Sequence, residues 1–332
     1  MKDPVVSIII PCYNAAHTLD RAVRSAVQQQ SIQPDIILIN NNSSDNTADK
    51  IKAWQQQHPS LIKTSFARRR NANYARNEGI KMAASEYLQF LDADDAILPN
   101  KIADQLKLLL STDADYVAGS TIFINENTGK TSEIHPFQDP YKGWMIGLFN
   151  GNTVANLWRR SVLNDIGNWN ENIPDTQDDD LMLRLLCNNT YVVQSQAPTT
   201  LVHIRDSGHL HQVDKSGHVE RHVKLRLEML QYLYNNKPTY FHQNQTFFHQ
   251  AFYIWLRKLA VYDPGRAAML LRQHLPSDFR PRTGVPHAEV PLWNRLLMPF
   301  LGFERTERFK NYSKRGPWRS AHRWARRRFL EN

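Results

Sequence analysis

Through the first 200 residues, short unbroken apolar runs alternate with longer stretches in which apolar positions recur every three or four residues. The unbroken runs fall at 5–10, 35–39 and 87–91, with a weaker one at 61–66. Runs of that length, rich in Val, Ile and Leu and stopped by Pro, Asn or Asp, read as strands covered on both faces. The stretches between them predict helices over 15–29, from Asp45 or Thr47 through Trp54, and over 73–84. Leu19, Ala22, Val23, Ala26 and Val27 form the stripe of the first helix, and Thr18 is placed to cap it. Strands and helices at this interval predict βαβ units and a mostly parallel sheet. Further on, 116–125, bounded by Gly119 and Asn127-Thr128-Gly129, reads as a hairpin-like excursion. The segments 191–194 and 199–204 read as short strands. From about Gly217 the spacing turns helical, at 219–233 and 247–261, and 276–299 is a proline-rich connection.

Composition narrows the class. A chain of 332 residues has material for a large core and one or two domains. No apolar run approaches the ~20 residues of a membrane span. The run at 5–10 is too short, and too soon broken by Pro11, for a signal peptide. Cys12 and Cys187 each sit beside an apolar run and read as ordinary buried thiols, which predicts a reducing, cytoplasmic setting without disulfides. The net charge of +9 is lopsided, because residues 301–332 carry ten Lys and Arg against three Glu, or +7 of it. The body is close to neutral.

The candidate chemistry lies where apolar runs end. The third run stops at Asp92-Ala93-Asp94-Asp95. Carboxylates crowded at the end of a buried strand repel one another, and a hard cation such as Mg²⁺ or Mn²⁺, sharing its oxygens with substrate phosphates, relieves that repulsion. This predicts a metal–diphosphate site at the carboxyl edge of an α/β sheet. Capping of a helix over 99–110 by Asp94 or Asp95 explains the same residues. The first run ends in Pro11-Cys12-Tyr13-Asn14, where Tyr13 offers a ring for a planar base or simply packs on the body. The second ends in Asn40-Asn41-Asn42-Ser43-Ser44-Asp45-Asn46-Thr47, and turn and cap chemistry accounts for Ser43 to Thr47 better than for Asn40 and Asn41. Gln177-Asp178-Asp179-Asp180 opens an amphipathic helix, and three consecutive Asp exceed what the helix dipole asks for. One of them facing a cleft would serve as a general base.

Taken in order, these motifs resemble glycosyltransferase family 2, the nucleotide-sugar enzymes of GT-A fold that build bacterial cell-surface polysaccharides and glycans. The resemblance covers about residues 5–205. It rests on Ser7-Ile8-Ile9-Ile10-Pro11-x-Tyr13-Asn14, on residues 42–47, on Ala75-Arg76-Asn77-Glu78-Gly79 leading to the Asp cluster, and on Asp178-x-Asp180-Leu181 with Arg184. It implies a GT-A nucleotide-sugar-binding catalytic domain at 1–215, Rossmann-like with a mostly parallel sheet, and leaves 216–332 as a helical C-terminal region. Pro11, Tyr13, Asn14 and Asn41 would border the nucleotide, Arg76 would lie near the phosphates or order the Asp-rich loop, and Asp92 and Ala93 would flank the ribose. Asp94 would hold Mn²⁺ or Mg²⁺, His203 would complete the metal site or the pyrophosphate contact with His209 in reserve, and Asp178 would be the catalytic base. The implied reaction is inverting transfer from a nucleotide sugar, most often a UDP-sugar, to a hydroxyl of a glycan or lipid-linked glycan.

Two positions depart from the family pattern. An acidic residue that accepts the N3–H of uracil is usual at position 40 or 41, and both are Asn here; an amide oxygen accepts too, but the amide also donates. The acidic residue usually preceding the base is Gln177. A rival from another class is a nucleotide- or glycan-binding module of this fold without catalysis. A nucleotidylyltransferase would begin with a Gly-rich basic loop, where this chain has Pro11-Cys12-Tyr13-Asn14.

The tail adds a separate signal. In 310–332, Trp318, Ala321, His322, Ala325 and Phe329 share a helical face behind Pro317, and Arg319, Arg323 and Arg326 to Arg328 fill the rest. A basic amphipathic helix of this kind reads as a peripheral anchor on the inner face of an anionic membrane, or as a helix packed on its own body. No nucleic-acid module accompanies the charge.

Overall fold

The computed structural model describes residues 5–148, 152–204, 214–282, 290, 298 and 301–308. The chain divides into two compact units, Met1–Leu210 and His211–Asn332.

The first unit is built on a nine-stranded sheet. Its strands are β1 (Val6–Cys12), β2 (Asp35–Asn40), β3 (Ile62–Phe66), β4 (Tyr87–Phe90), β5 (Ala96–Ile97), β6 (Tyr116–Asn125), β7 (Thr131–Ile134), β8 (Leu157–Arg159) and β9 (Val192–Ile204). They lie in the order β3-β2-β1-β4-β8-β6-β9-β5, with β7 paired to β6. The run β3-β2-β1-β4 is parallel, β8 is antiparallel to both β4 and β6, and β6 is parallel to β9. Six of the nine strands therefore point the same way, as the βαβ spacing predicts. Helices α1 (Leu19–Val27), α2 (Thr47–Gln57), α3 (Ala72–Met82) and α4 (Lys101–Thr112) connect or follow the parallel strands. The α1 stripe of Leu19, Ala22, Val23 and Ala26 is buried with Ile8, Ile10, Ile36 and Leu38. Helix α3 packs so closely on β1 that a Cβ at Gly79 would stand 2.3 Å from Ile9 Cγ2.

Register decides where the polar bursts go. Cys12 pairs with Asn40, and Ile9 with Phe90, so β1, β2 and β4 end at one edge of the sheet. Because β8 runs backwards along β4, with Leu157 opposite Gln89, the 3-10 turn before it (Thr153–Ala155) reaches the same edge.

Several expectations change. Segment 116–125 does form a hairpin with β7, but it is also an interior strand between β8 and β9, with its first half buried. The two short strands expected at 191–194 and 199–204 are one strand, whose register against β6 shifts around Pro198, a residue with no N–H for the ladder. Thr18 stands at the N-cap of α1 but makes no side-chain cap bond. Asn100, not Asp94 or Asp95, precedes α4, so capping does not account for the acidic cluster. Cys12 is a core thiol whose pKa burial pushes well up, whereas Cys187 is only half-buried. The short elements α5 (Pro140–Ile146), the 3-10 turn, β8 and α6 (Arg160–Asp165) have no counterpart in the periodicity.

α7 (Gln177–Cys187) completes the first unit. The second unit contains α8 (Lys215–Asn236), α9 (Pro238–Leu259) and α10 (Pro264–His274), the first two longer than their apolar spacing suggests and the third unforeseen. Val223, Met229, Leu230 and Leu233 of α8 are buried, as are Phe248, Phe252 and Leu256 of α9. A buried Arg257 Nε–Glu307 Oε1 pair at 2.5 Å joins α9 to the described segment 301–308. His209, most of 276–299 and the basic tail 310–332 lie outside the described residues.

Candidate active site

At the end of β1 the chain turns through Asn14, at φ +47°. Its side-chain Oδ1 accepts the Ser44 N–H at 2.8 Å, and its backbone N–H donates to Ser43 Oγ at 3.1 Å. Ala15 N–H donates to Thr47 Oγ1 at 2.8 Å, and Ala16 N–H to Asp45 Oδ2 at 3.1 Å. The Asn/Ser/Thr burst after β2 thus fastens the two strand-end loops to each other. Tyr13 stays 37% exposed beside Pro11, with the Arg70 guanidinium 4.3 Å over its ring. Asn41 is buried, and its carbonyl oxygen accepts the Asn71 N–H at 3.0 Å. Asn40 spends its oxygen on the Ser43 N–H, also at 3.0 Å. Each of the two amide oxygens that the sequence offered to uracil therefore already accepts one backbone N–H.

At the end of β4 the acidic cluster spreads out. Asp92 is half-exposed and pairs with Arg76 at 3.0 Å. Ala93 is buried, and Asp94 is exposed, its backbone carbonyl accepting from Arg21. Asp95 is buried, and its Oδ1 accepts the His203 N–H at 3.0 Å. Burial, reinforced by the charges of Asp92 and Asp94, pushes the Asp95 carboxyl up to about 8. His203 reaches this edge on β9, with Nδ1 3.2 Å from Glu126 Oε1, and Glu126 in turn holds Arg21 Nη1 at 2.8 Å. Among the described residues, no three His, Cys, Asp or Glu side chains converge as a metal cluster. The donor set fits a hard cation that takes one or two carboxylates and completes its shell with phosphate oxygens and water. Asp94 is the exposed carboxylate of this cluster.

Arg76 ties this cluster to the next. It is buried on α3, with Nη2 on Asp92, Nη1 2.9 Å from Gln177 Oε1, and its guanidinium 4.6 Å from the Trp169 ring. The same face of α3 holds the segment carrying that tryptophan. Asn77 Nδ2 donates to Trp169 O at 2.9 Å, Asn77 Oδ1 accepts the Trp169 N–H at 3.0 Å, and Asn73 Nδ2 donates to Asn170 O at 2.6 Å. The recurring Asn of α3 was the signal for this rack, which sequence reasoning missed.

The three Asp of α7 have separate fates. Asp180 pairs with Arg184 at 2.6 Å, and Asp179 is buried. Asp178 is half-buried and accepts the Thr153 hydroxyl on Oδ1. Burial raises the Asp178 pKa, the Arg76 charge and the Thr153 hydrogen bond oppose the rise, and Asp92 and Asp179 add to it. Arg76 is thus the common neighbour of Asp92, Gln177 and Asp178. Thr153 is a second residue the sequence did not point to.

Residues 7–167 match the family model for glycosyl transferase family 2. This segment belongs to glycosyltransferase family 2. Over 128 residues the chain is 32% identical to the Escherichia coli UDP-Glc:alpha-D-GlcNAc-diphosphoundecaprenol beta-1,3-glucosyltransferase, covering 39% of this chain and 50% of that protein. It is 30% identical over 178 residues to the poly-beta-1,6-N-acetyl-D-glucosamine synthase of Staphylococcus epidermidis, covering 49% of this chain and 42% of that one. The chain thus spans half or less of the length of these relatives. In fold it is similar to S. aureus TarS 1-349 in complex with UDP-GlcNAc, at a TM-score of 0.57 and 15% identity over 92% of this chain and 89% of that chain. It is also similar to the mannosyltransferase PcManGT of Pyrobaculum calidifontis, in complex with GDP-Man and Mn2+, at a TM-score of 0.52 and 14% identity over 95% of this chain and 89% of that one. These likenesses show a GT-A fold, with C-terminal helices following it.

Proposed function

We propose that this protein is an inverting, metal-dependent glycosyltransferase that moves a sugar from a nucleotide diphosphate sugar to a hydroxyl of a glycan or lipid-linked glycan. The observation that carries this reading is that Asp92, paired with Arg76 and two residues from the exposed Asp94, also faces the half-buried Asp178. Pro11, Tyr13, Asn14 and Asn41 border the nucleotide, with the Tyr13 ring as its planar surface. Asp92 and Ala93 flank the ribose. Asp94 would hold Mn²⁺ or Mg²⁺, and His203 would complete the site. When bound, the cation stabilises charge on the departing diphosphate as a Lewis acid. Asp178 takes the proton of the acceptor hydroxyl, which is a poor nucleophile until a placed base does so. Attack on the face opposite the leaving group inverts the anomeric centre, by the logic of inverting glycosidases.

A UDP-sugar is the first choice of donor, supported by the UDP-Glc after which the E. coli relative is named and by the UDP-GlcNAc complex of TarS. The acceptor class follows the same relative, which acts on a diphosphoundecaprenol-linked sugar. The protein would meet such an acceptor as a cytoplasmic, peripheral enzyme at the inner face of the membrane. The direct test is thermal unfolding with UDP- and GDP-sugars, with and without Mn²⁺, since a ligand that binds only the native state raises apparent stability. One nucleotide sugar should raise Tm in a Mn²⁺-dependent way and be turned over. No stabilisation and no turnover across the panel would refute the reading.

A further inference from the structure

A buried polar relay runs from the sheet interior to Asp178. It begins at Lys101, on the first turn of α4, whose side chain is fully buried. Its Nζ donates to Gln105 Oε1 at 2.7 Å, one turn along the helix, and to Gln89 Oε1 on β4. Both partners are neutral amides, and burial drives the amine well below its usual range. Each glutamine hands the relay on through its nitrogen. Gln89 Nε2 donates to Val154 O at 2.8 Å, and Gln105 Nε2 to Ala155 O at 2.9 Å. Those carbonyls belong to the 3-10 turn Thr153–Ala155, and the Thr153 hydroxyl donates to Asp178 Oδ1.

The turn is also held from β6. Asn156 Oδ1 accepts the Gly119 N–H at 3.1 Å, and a Cβ at Gly119 would lie 2.1 Å from Ala155 O and 2.6 Å from Gln105 Nε2. Lys101, Gln89, Gln105, Thr153 and Asn156 are all at most 2% exposed. A lysine and two glutamines are a costly way to fill a core, since an apolar trio of similar volume needs no partners. A fully satisfied polar network does one thing that trio cannot, which is to fix the backbone carbonyls it grips in a single arrangement.

We propose that Thr153, held by the Lys101–Gln89–Gln105 relay, is a positioning residue for the general base: its hydroxyl fixes one carboxylate oxygen of Asp178 and leaves the other for the acceptor hydroxyl. This rests on Asp178 being the base. The groups facing Asp178 are Arg76 from α3, Asp92 at the end of β4 and Asp179 on its own helix. The Thr153 bond favours the ionised carboxylate, as Arg76 does, so its removal raises the pH at which Asp178 can accept a proton.

The experiment measures kcat, donor KM and the pH profile of kcat/KM on the full chain for Thr153→Val, Thr153→Ser, Lys101→Met and Asp178→Asn. Thr153→Val should lower kcat about tenfold or more, the range for losing a hydrogen bond to a charged group. Its donor KM should stay within about twofold, because the relay does not touch the nucleotide. The acidic limb of its profile should move to higher pH. Thr153→Ser restores the hydroxyl and should return both kcat and the limb toward wild type, whereas a packing role would leave serine as poor as valine. Lys101→Met should lower kcat in the same sense; if it does not fold, the Thr153 pair decides alone. An unmoved limb in Thr153→Val, or a serine variant that fails to recover, overturns the proposal even when Asp178→Asn has abolished transfer. Transfer that survives Asp178→Asn instead overturns the assignment of the base.

Discussion

Burial raises the affinity of the Asp178 carboxyl for its proton, and the Arg76 charge and the Thr153 hydroxyl only partly offset it. A base with a raised pKa grips the acceptor's proton more strongly but is ionised over a narrower range, so the acidic limb of transfer should lie above pH ~4, where an ordinary aspartate would put it. The same shift has a stability consequence. The folded protein holds this proton at pH values where the unfolded chain, with an Asp pKa of ~3.9, has released it. Its contribution to stability is present in acid and is lost as pH rises through the raised folded value. Asp178→Asn, which keeps the shape without the ionisation, should therefore raise Tm more at pH 8 than at pH 4. It should cut transfer by ~10²–10⁴ while nucleotide-sugar binding persists. Calorimetry at the two pH values checks the first outcome and single-turnover assays the second. Asp94 separates cleanly from this. It is exposed, and Asp94→Ala should abolish Mn²⁺-dependent donor binding with little change in Tm; undiminished Mn²⁺-dependent turnover would remove Asp94 from the metal site.

Among the elements, the strand ends do the gathering and α3 does the fixing. Asn77 satisfies both the N–H and the carbonyl of Trp169, whose ring lies under the Arg76 guanidinium. Asn77→Ala leaves two buried backbone groups unpaired at ~1–3 kcal/mol each. It should lower the urea midpoint by the equivalent of about 2 kcal/mol or more and reduce transfer, because Arg76 loses the surface it rests on. A variant as stable as wild type would show that the segment around Trp169 is held by other means. This level also shows what was legible in the sequence. Strands β1, β2 and β4 are covered on both faces, so they are unbroken apolar runs, and the polar residue that stops each one marks the site edge. Asp92, Asp94 and Asp178 could be singled out because a buried strand or a helix start has no other use for so many carboxylates. Strand β8 is three residues long and the turn before it is another three, too short for any period to register, and with them went Thr153. β6 reads as an excursion in the sequence because its turn is obvious there and its long parallel pairing with β9, a distant stretch of chain, is not. Nor does composition reveal that the oxygens of Asn40 and Asn41 each accept a neighbouring N–H, since that depends on where the 43 and 71 backbones arrive.

For the molecule as a whole, charge is distributed by segment rather than by surface. Among the described residues no helix is long and apolar enough to cross a membrane. The last 32 residues hold +7 of the net +9, interleaved with Trp318, Ala321, Ala325 and Phe329. If the acceptor is lipid-linked, as proposed, its reactive hydroxyl stays at the membrane surface and the enzyme must work there. A tail of this composition supplies such an address, since each Arg near an anionic leaflet contributes about 1 kcal/mol and the aromatic stripe adds apolar burial at the interface. The full chain should bind vesicles containing anionic lipid at low ionic strength and release them as salt shortens the screening length to about 10 Å at 0.1 M. Removing residues 310–332 should leave donor hydrolysis and transfer to a soluble acceptor analogue within about twofold, because no group assigned to the chemistry lies there, and should cut transfer to acceptor embedded in vesicles about tenfold or more, the loss of one or two such Arg contacts being enough. Sedimentation with anionic and with zwitterionic vesicles distinguishes the charge from the apolar face. A full-length protein that ignores anionic vesicles at low salt would make the tail a structural helix or a contact between copies of the chain, and its removal would then show up in Tm or in oligomeric state instead.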